Sequence, residues 1–340
     1  MKNLVLFLLV LLLCGGGEQA LGTTVAQQVP SLEHARNASK PLPKFVFLKT
    51  HKTGSSSISV MLGYALEERG QKPAIPCSYH LGYPGGFNNP AHLLCGRDKF
   101  DFTGVISHMR WTEKSKENLF QLMGPERPLL FTIARDPLTR FVSAFRFYGD
   151  ENVRNVTHYD GVIDEAWVRG AIEALAVESN RERIRPYMRA LHLIGYAFDF
   201  QLQLDYEPTM RKNFTSQAEA FLDTIDFVLL YEEWDLSMAV LRRKLGLTLA
   251  DVVYPHLKQM GRKTPQFSAD TRELFCEVMW SDCVLYDMIK DRFYANVGDE
   301  LRHDAKTIAH INQVARELGQ VRDNEDEPKY YERLRQEYSE

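Results

Sequence analysis

Apolar residues along the chain fall into short, mostly apolar runs that alternate with longer stretches of helical spacing. Phe45 to Leu48, Thr103 to Ile106, Pro128 to Ala134 and Ile225 to Tyr231 are the runs. Their length and lack of polar alternation predict strands buried on both faces. Helical spacing follows each one. Ile58, Met61, Leu62, Ala65 and Leu66 mark the first helix, and a second is predicted over about 113–123. Leu138, Phe141, Val142, Ala144, Phe145 and Tyr148 mark a third, with Pro137 suited to its first turn. Met238, Val240, Leu241 and Leu245 mark another, stopped at Gly246. Strands alternating with helices predict an α/β fold, a P-loop-like parallel sheet flanked by helices.

Between these elements the pattern is less regular. Residues 71–100 carry Pro73, Pro76, Tyr83-Pro84-Gly85-Gly86 and Asn88-Asn89-Pro90, and predict a long irregular segment. Its Tyr79, Tyr83, Phe87 and His80 are candidates to line an acceptor site, against the plainer alternative of a pinned surface loop. Residues 160–222 predict mostly helix, charged near 164–178, with aromatic-rich turns at 187–207; a further helix is predicted around 270–280. Four parts result: a leader over 1–20, a stem over 21–43, a domain over 44–298, and a charged helical tail over 299–340. Gly319 and the acidic run Asp323 to Glu327 suggest that the tail ends in a solvated arm.

The leader changes where the protein is expected to work. Met-Lys-Asn precedes an apolar run from Leu4 to Leu13, then Cys14 and three glycines. The run fits the core of a signal peptide and is short for a membrane span of about 20 residues; a short signal-anchor is the competing reading. Either one sends the rest of the chain into the secretory pathway. Asn37-Ala-Ser, Asn155-Val-Thr and Asn213-Phe-Thr are glycosylation sequons. Of the 5 cysteines, the four beyond Cys14 are an even number suited to an oxidising lumen. Spacing does not fix their pairing; the local one, Cys77–Cys95 and Cys276–Cys283, is the expectation. Zinc is the other reading, without close Cys-x-x-Cys spacing to support it. A net charge of −4 argues against a nucleic-acid binder working by overall charge.

Two strand-to-helix junctions hold the candidate chemistry. Lys49-Thr50-His51-Lys52-Thr53-Gly54-Ser55-Ser56-Ser57 links the first strand to its helix. A basic, small-residue loop there aims backbone N–H groups and a positive helix end at a phosphate. It is not the ATP-binding pattern, which needs two glycines and a lysine directly before the last hydroxyl. The other junction is Arg135-Asp136-Pro137, with Ser143 eight residues beyond Arg135. Arg135 offers a planar fork that matches phosphate oxygens, and Ser143 adds one hydrogen bond from two helical turns along. Taken singly, each junction could be an ordinary turn and capping device. Together, each after a buried strand, they are far more specific. Ligands in such sheets sit beyond the carboxyl ends of the strands, so both loops should meet at one edge.

Lys49-Thr50-His51-Lys52-Thr53-Gly54-Ser55-Ser56 resembles the 5′-phosphosulfate loop of sulfotransferases that use 3′-phosphoadenosine 5′-phosphosulfate (PAPS). In its Thr-His-Lys-Thr form it is most similar to the galactose 3-O-sulfotransferases. Arg135 and Ser143 resemble that fold's 3′-phosphate site. Ser107-His108-Met109-Arg110-Trp111, Glu232-Glu233-Trp234-Asp235-Leu236-Ser237, Val253-Tyr254 and Trp280/Asp282/Leu285/Tyr286 also resemble family segments, so the likeness covers roughly 44–295. It implies the PAPS sulfotransferase fold and sulfuryl transfer to the 3-hydroxyl of galactose on a glycolipid or glycoprotein. It further implies a luminal catalytic domain at the Golgi membrane, with membrane association through the N-terminus. No metal is expected. Lys49, Thr50, Lys52, Thr53, Gly54, Ser55, Ser56, Ser57, Arg135 and Ser143 are then the expected donor-binding residues, and His51, Lys52 and His108 the catalytic ones. The leader is shorter than the family's usual anchor, and residues 71–100 match poorly.

A general base must titrate near working pH. His51, between two lysines whose charge should depress its pKa, is the preferred base, and His108 a second acceptor-site residue. Glu232 and Glu233 are the carboxylate alternative, against a reading as solvated helix-start acids. Competing functions are a sulfotransferase for another glycan hydroxyl, such as a uronyl 2-hydroxyl, and a non-catalytic relative that binds nucleotide or glycan. A P-loop kinase is disfavoured by the missing Gly-Lys-Thr ending.

Overall fold

The computed structural model describes residues 40–77, 80–83, 86–89, 93, 102–148, 151–177, 196–200, 202, 211–252, 265–317 and 327–337. The leader, nearly all of the stem, Asn37, Tyr79, Cys95, Val253, Tyr254 and most of the acidic run lie outside these residues.

Four parallel strands form one sheet in the order β2-β1-β3-β4. They are β1 (Phe45–Leu48), β2 (Gly104–Val105), β3 (Leu129–Ala134) and β4 (Phe227–Leu230), and every residue but Leu129 is buried. Parallel strands need crossovers, and helices packed on both faces leave no room for alternating polar positions. Register places Phe47 beside Phe131 and Phe131 beside Phe227. Their rings stack at 4.9 and 4.7 Å between centroids, forming a ladder across three strands. Gly104 makes the edge pairing possible: a Cβ there would lie 2.4 Å from the Phe45 ring.

The helices named by periodicity are present. α1 is Ser55–Glu67, and α2 is Glu113–Met123, capped by Thr112, which accepts from the Ser115 N–H. α3 is Pro137–Tyr148 and α4 Glu151–Val156. α5 is Glu165–Ala176, capped by Asp164. α6 is the single turn Tyr196–Asp199, and α7 is Arg211–Asp223. α8, Trp234–Leu245, ends as expected at Gly246, whose φ of 71° is left-handed. α9 is Leu249–Val252, α10 Ala269–Val278 and α11 Trp280–Ala295. The Cys276–Cys283 disulfide expected from the sequence ties α10 to α11. The sequon residues Asn155 and Asn213 sit exposed on α4 and α7.

Beyond the main core around the sheet, a smaller cluster packs Leu138, Phe141 and Phe145 of α3 against Trp167 and Val168 of α5 and Phe275 of α10. α3 is thereby held on that face by a core of its own.

The tail differs from the solvated arm suggested by its charge. α12 (Asp299–Glu317) lies along α8 through Arg242–Asp304 at 3.0 Å and Asn312–Asp235 at 3.1 Å, with Ile308 buried. α13 (Glu327–Glu337) buries Tyr330, Tyr331 and Leu334 in the main core. Residues 41–340 form one compact unit. The charges sit on outer faces, and a few aromatic residues on the inner faces decide the packing.

Candidate active site

Because β1 and β3 are adjacent and parallel, with Leu48 beside Thr132, their carboxyl ends open side by side. The loop after β1 is wound tightly. Lys52 has φ 62° and Gly54 φ 77°, so two of its residues are left-handed. Glycine is required at the second: a Cβ would lie 3.0 Å from the Tyr231 ring and 3.1 Å from Trp234. At Lys52 a long side chain bears the strained conformation, and such strain collects at functional loops.

Hydroxyl groups knit the loop together. Thr50 Oγ1 donates to the Ile133 carbonyl of β3 at 2.6 Å and lies 2.9 Å from Thr53 Oγ1. Ser55 Oγ donates to the Thr50 carbonyl at 2.6 Å. Thr50, Thr53 and Ser55 are buried, as are Ser57 and Lys49; Ser56 and Lys52 are partly open. The buried hydroxyls therefore shape the loop. Gly54 supplies no side-chain cap to α1, which leaves the helix start to backbone N–H groups.

Arg135, at the end of β3, reaches back to this loop. Its Nη1 donates to the Lys52 carbonyl at 3.2 Å and its Nε to Thr139 Oγ1 at 3.2 Å, while the guanidinium lies 4.4 Å over the Tyr231 ring. The two junctions thus meet at one edge of the sheet. Ser143 lies partly exposed on α3, and the Lys52 ammonium sits 3.7 Å over Phe147 at the end of the same helix. A glycine-wound loop with two lysines, touched by a guanidinium, fits a ligand carrying phosphate at both ends.

Behind the loop lies a buried cluster of rings and charges. His51 stacks on His108 with centroids 3.8 Å apart. His51 Nδ1 is 3.2 Å from Asp199 Oδ1, and His108 Nδ1 is 3.1 Å from the Lys49 carbonyl. Tyr83 donates to Asp199 at 3.3 Å, and its ring lies 4.9 Å from that of His51. His80 packs edge-on against His108 at 5.2 Å. Arg140, buried in α3, donates to the His51 carbonyl at 2.9 Å and to Asp282 at 3.3 Å, with Asp199 at 3.7 Å.

Burial is the largest influence on His51 and lowers its pKa; Asp199 opposes this, and Arg140 and Lys49 add to it. The expected depression is present, but burial rather than the lysines is its chief cause. Burial and the nearby Asp199 charge push the Tyr83 hydroxyl up, so it stays a donor.

Other candidates fall elsewhere. Phe87 is core, its N–H bound to Ser115 at 2.8 Å. Glu232 is exposed as a residue, as expected of a helix-start acid, but its carboxylate accepts from the Asp136 N–H at 2.8 Å and from Tyr286 at 3.1 Å, tying the second junction to the end of β4. Burial raises its pKa. Glu233 accepts from Tyr294 at 2.6 Å. Among the described residues no group of three or more His, Cys, Asp or Glu side chains is placed to hold a metal.

The family model described as galactose-3-O-sulfotransferase matches residues 1–327. The chain belongs to this family. It is 34% identical to human galactose-3-O-sulfotransferase 4 over 134 residues, 35% of this chain and 24% of that protein. It is 25% identical to mouse galactose-3-O-sulfotransferase 2 over 309 residues, 85% of this chain and 72% of the relative. Against human galactose-3-O-sulfotransferase 3 it is 26% identical over 298 residues, 84% of this chain and 63% of the relative. The matched segments thus span from about a quarter to about three quarters of these relatives' lengths.

Within this member of the family, sequence reading did not single out Asp199, Tyr231 or Phe147, nor Arg140 as a site residue. Arg140 carried a signal: it falls among the buried positions Pro137, Phe141 and Ala144 of α3, where a cation requires a carboxylate. Asp199 carried almost none, lying 148 residues from its partner in a one-turn helix.

Proposed function

We propose that the protein is a carbohydrate sulfotransferase that moves a sulfuryl group from PAPS to a sugar hydroxyl, the 3-hydroxyl of galactose on a glycolipid or glycoprotein. The observation that carries this reading is the hydrogen bond from Arg135 to the Lys52 carbonyl, which makes one site of the two anion-binding junctions. Family membership supports the reaction class, and the relatives' names support galactose as the acceptor.

PAPS supplies the sulfuryl group when bound and leaves as adenosine 3′,5′-bisphosphate. Lys49, Lys52 and the N–H groups of residues 53–56 hold the 5′ side, the Ser57 N–H being bound to the Gly54 carbonyl, and Lys52 neutralises the charge that develops on the leaving phosphate oxygen. Arg135 and Ser143 hold the 3′-phosphate. His51 takes the proton of the attacking hydroxyl, while His108 and His80 shape the acceptor side. Positioning and charge neutralisation dominate, as in phosphoryl transfer. The leader directs the domain into the secretory pathway, with the Golgi membrane as its place of work. Among the described residues no helix is long and apolar enough to cross a membrane.

The test is transfer of radiolabelled sulfate from PAPS onto a glycan panel by the purified protein. Label on galactose-terminated acceptors, at the 3-position, is the expected result. Label confined to uronic acid would move the assignment to another glycan hydroxyl. Binding of adenosine 3′,5′-bisphosphate without any transfer would make the chain a non-catalytic relative.

A further inference from the structure

We propose that Asp199 is the positioning residue of the transfer site, fixing His51 as the tautomer with its proton on Nδ1 so that Nε2 is left as the acceptor. The proposal rests on the sulfotransferase reading only for what Nε2 accepts; the tautomer itself follows from the geometry.

Asp199 meets His51 twice. One carboxylate oxygen is 3.3 Å from the His51 N–H, and Nδ1 lies 3.2 and 3.4 Å from the two oxygens. An ionised carboxylate only accepts, so the nitrogen facing it must carry hydrogen. Tyr83 Oη donates to the same carboxylate at 3.3 Å, and the Arg140 guanidinium stands 3.7 Å away. Donors on several sides keep a buried carboxylate ionised.

The turn carrying Asp199 is held from several elements. Its carbonyl accepts from the Trp111 N–H at 3.1 Å. Tyr196, at the other end of the turn, donates its N–H to Asp282 at 2.9 Å. Its hydroxyl is 2.6 Å from both the N–H and the carbonyl of Arg135, and Arg140 lies 4.3 Å over its ring. The same turn therefore anchors the end of β3 and the orientation of His51. Groups facing His51 from the packed elements are Lys49 on its own loop, His108 after β2, Arg140 on α3, Tyr83 from the irregular segment and Asp199 on α6. One step further out, His80 packs on the rings of His108 and Tyr83, and Asp282 meets Arg140 and the Tyr196 N–H.

A counter-ion for Arg140 is the plainer role, and Asp282 already serves it at 3.3 Å. Asp199→Asn thus leaves the guanidinium a carboxylate but removes the negative charge facing Nδ1. Kinetics on the active acceptor, affinity for adenosine 3′,5′-bisphosphate and the tautomer of His51 in 15N-histidine-labelled protein decide between the roles. Asp199→Asn should lower kcat by about 100-fold or more. Nucleotide affinity should be unchanged, and Asp199→Glu should recover part of the rate. Asp199 raises the His51 pKa, so its neutralisation should also move the acid limb of the pH profile to lower pH. The unsubstituted protein should show His51 protonated at Nδ1.

Unchanged kcat in Asp199→Asn, or a loss matched by weaker nucleotide binding with an unmoved limb, would overturn the proposal. So would an Nε2–H tautomer in the unsubstituted protein. That spectrum decides the matter even if Asp199→Asn does not fold. Failure of the unsubstituted protein to transfer sulfate would sink the functional reading while leaving the tautomer to be read.

Discussion

His51 and His108 lie face to face, ring centroids 3.8 Å apart and planes 10° from parallel. Two imidazolium rings cannot stack so closely without strong repulsion, so the pair holds at most one proton beyond neutrality. Asp199 lies against Nδ1 of His51, while Nδ1 of His108 meets a backbone carbonyl. That carboxylate stands where it would stabilise the cation formed when His51 takes a proton. His51→Ala should therefore lower kcat by about 100-fold or more with little change in nucleotide affinity. Unchanged turnover in His51→Ala together with an inactive His108→Ala would reverse the two roles.

The sign of the pH dependence follows from burial. His51 is held below the ordinary imidazole value of about 6.5, because charging it would place a cation away from water. It stays neutral, and able to accept a proton, through neutral pH and into mild acid. Transfer should be flat across neutrality and fall only as pH drops below the ordinary histidine range. The unfolded chain binds that proton more readily than the folded one. Stability should therefore be full above about 6.5 and decline as pH falls from there toward the folded-state value. Paired rate and melting profiles check both. An acid limb above the ordinary value would contradict the buried, neutral His51.

Lys52 and Arg135 separate binding from folding. Lys52 is partly open to solvent, and its ammonium rests over Phe147. Lys52→Ala should reduce kcat by at least about 100-fold, the scale for a group that stabilises developing charge. Melting should be nearly unaffected. Arg135→Ala should weaken binding of adenosine 3′,5′-bisphosphate. Arg135→Lys should restore little of it, since one ammonium cannot reproduce the fork that spans Thr139 and the Lys52 carbonyl. Calorimetric titration of each variant is the measurement. Full transfer activity in either alanine variant would remove its assigned role.

The readable parts of the chain were those where one local pattern decides. Phe45 to Leu48 is apolar throughout, and Leu129 to Ala134 is so except at Thr132, because both sheet faces are covered, so the strands and the two junctions after them stood out. Gly246 after α8 sets an element end by local chemistry. Other features depend on contacts between distant segments. Asp199 matters only because folding carries it to His51, and nothing local shows that the exposed Glu232 accepts from the Asp136 N–H. The loop hydroxyls were legible as a cluster, but not that Thr50 is bound to β3. Charge misled at the C-terminus, where a few buried rings outweigh many solvated side chains.

Those rings give a prediction about the helix behind the site. A Cβ on Gly63 in α1 would lie 2.0 Å from the Tyr330 hydroxyl and 2.3 Å from its Cζ, so α13 approaches α1 as closely as glycine permits. Arg333 pairs with Glu67 at 3.3 Å and lies 5.8 Å over Tyr64, both on α1. Tyr330 is fully buried, and Tyr330→Ala should cost about 3–5 kcal/mol by the scale of large aromatic deletions. Gly63→Ala should also destabilise, by forcing the Tyr330 ring out of its place. Because the clash is with the end of that ring, Gly63→Ala combined with Tyr330→Leu should be less destabilised than the two single losses added together. Denaturant titration of the unsubstituted protein, Gly63→Ala, Tyr330→Leu and the double variant measures the coupling. Strict additivity would show that α13 does not brace α1, and hence not the loop whose N–H groups begin that helix.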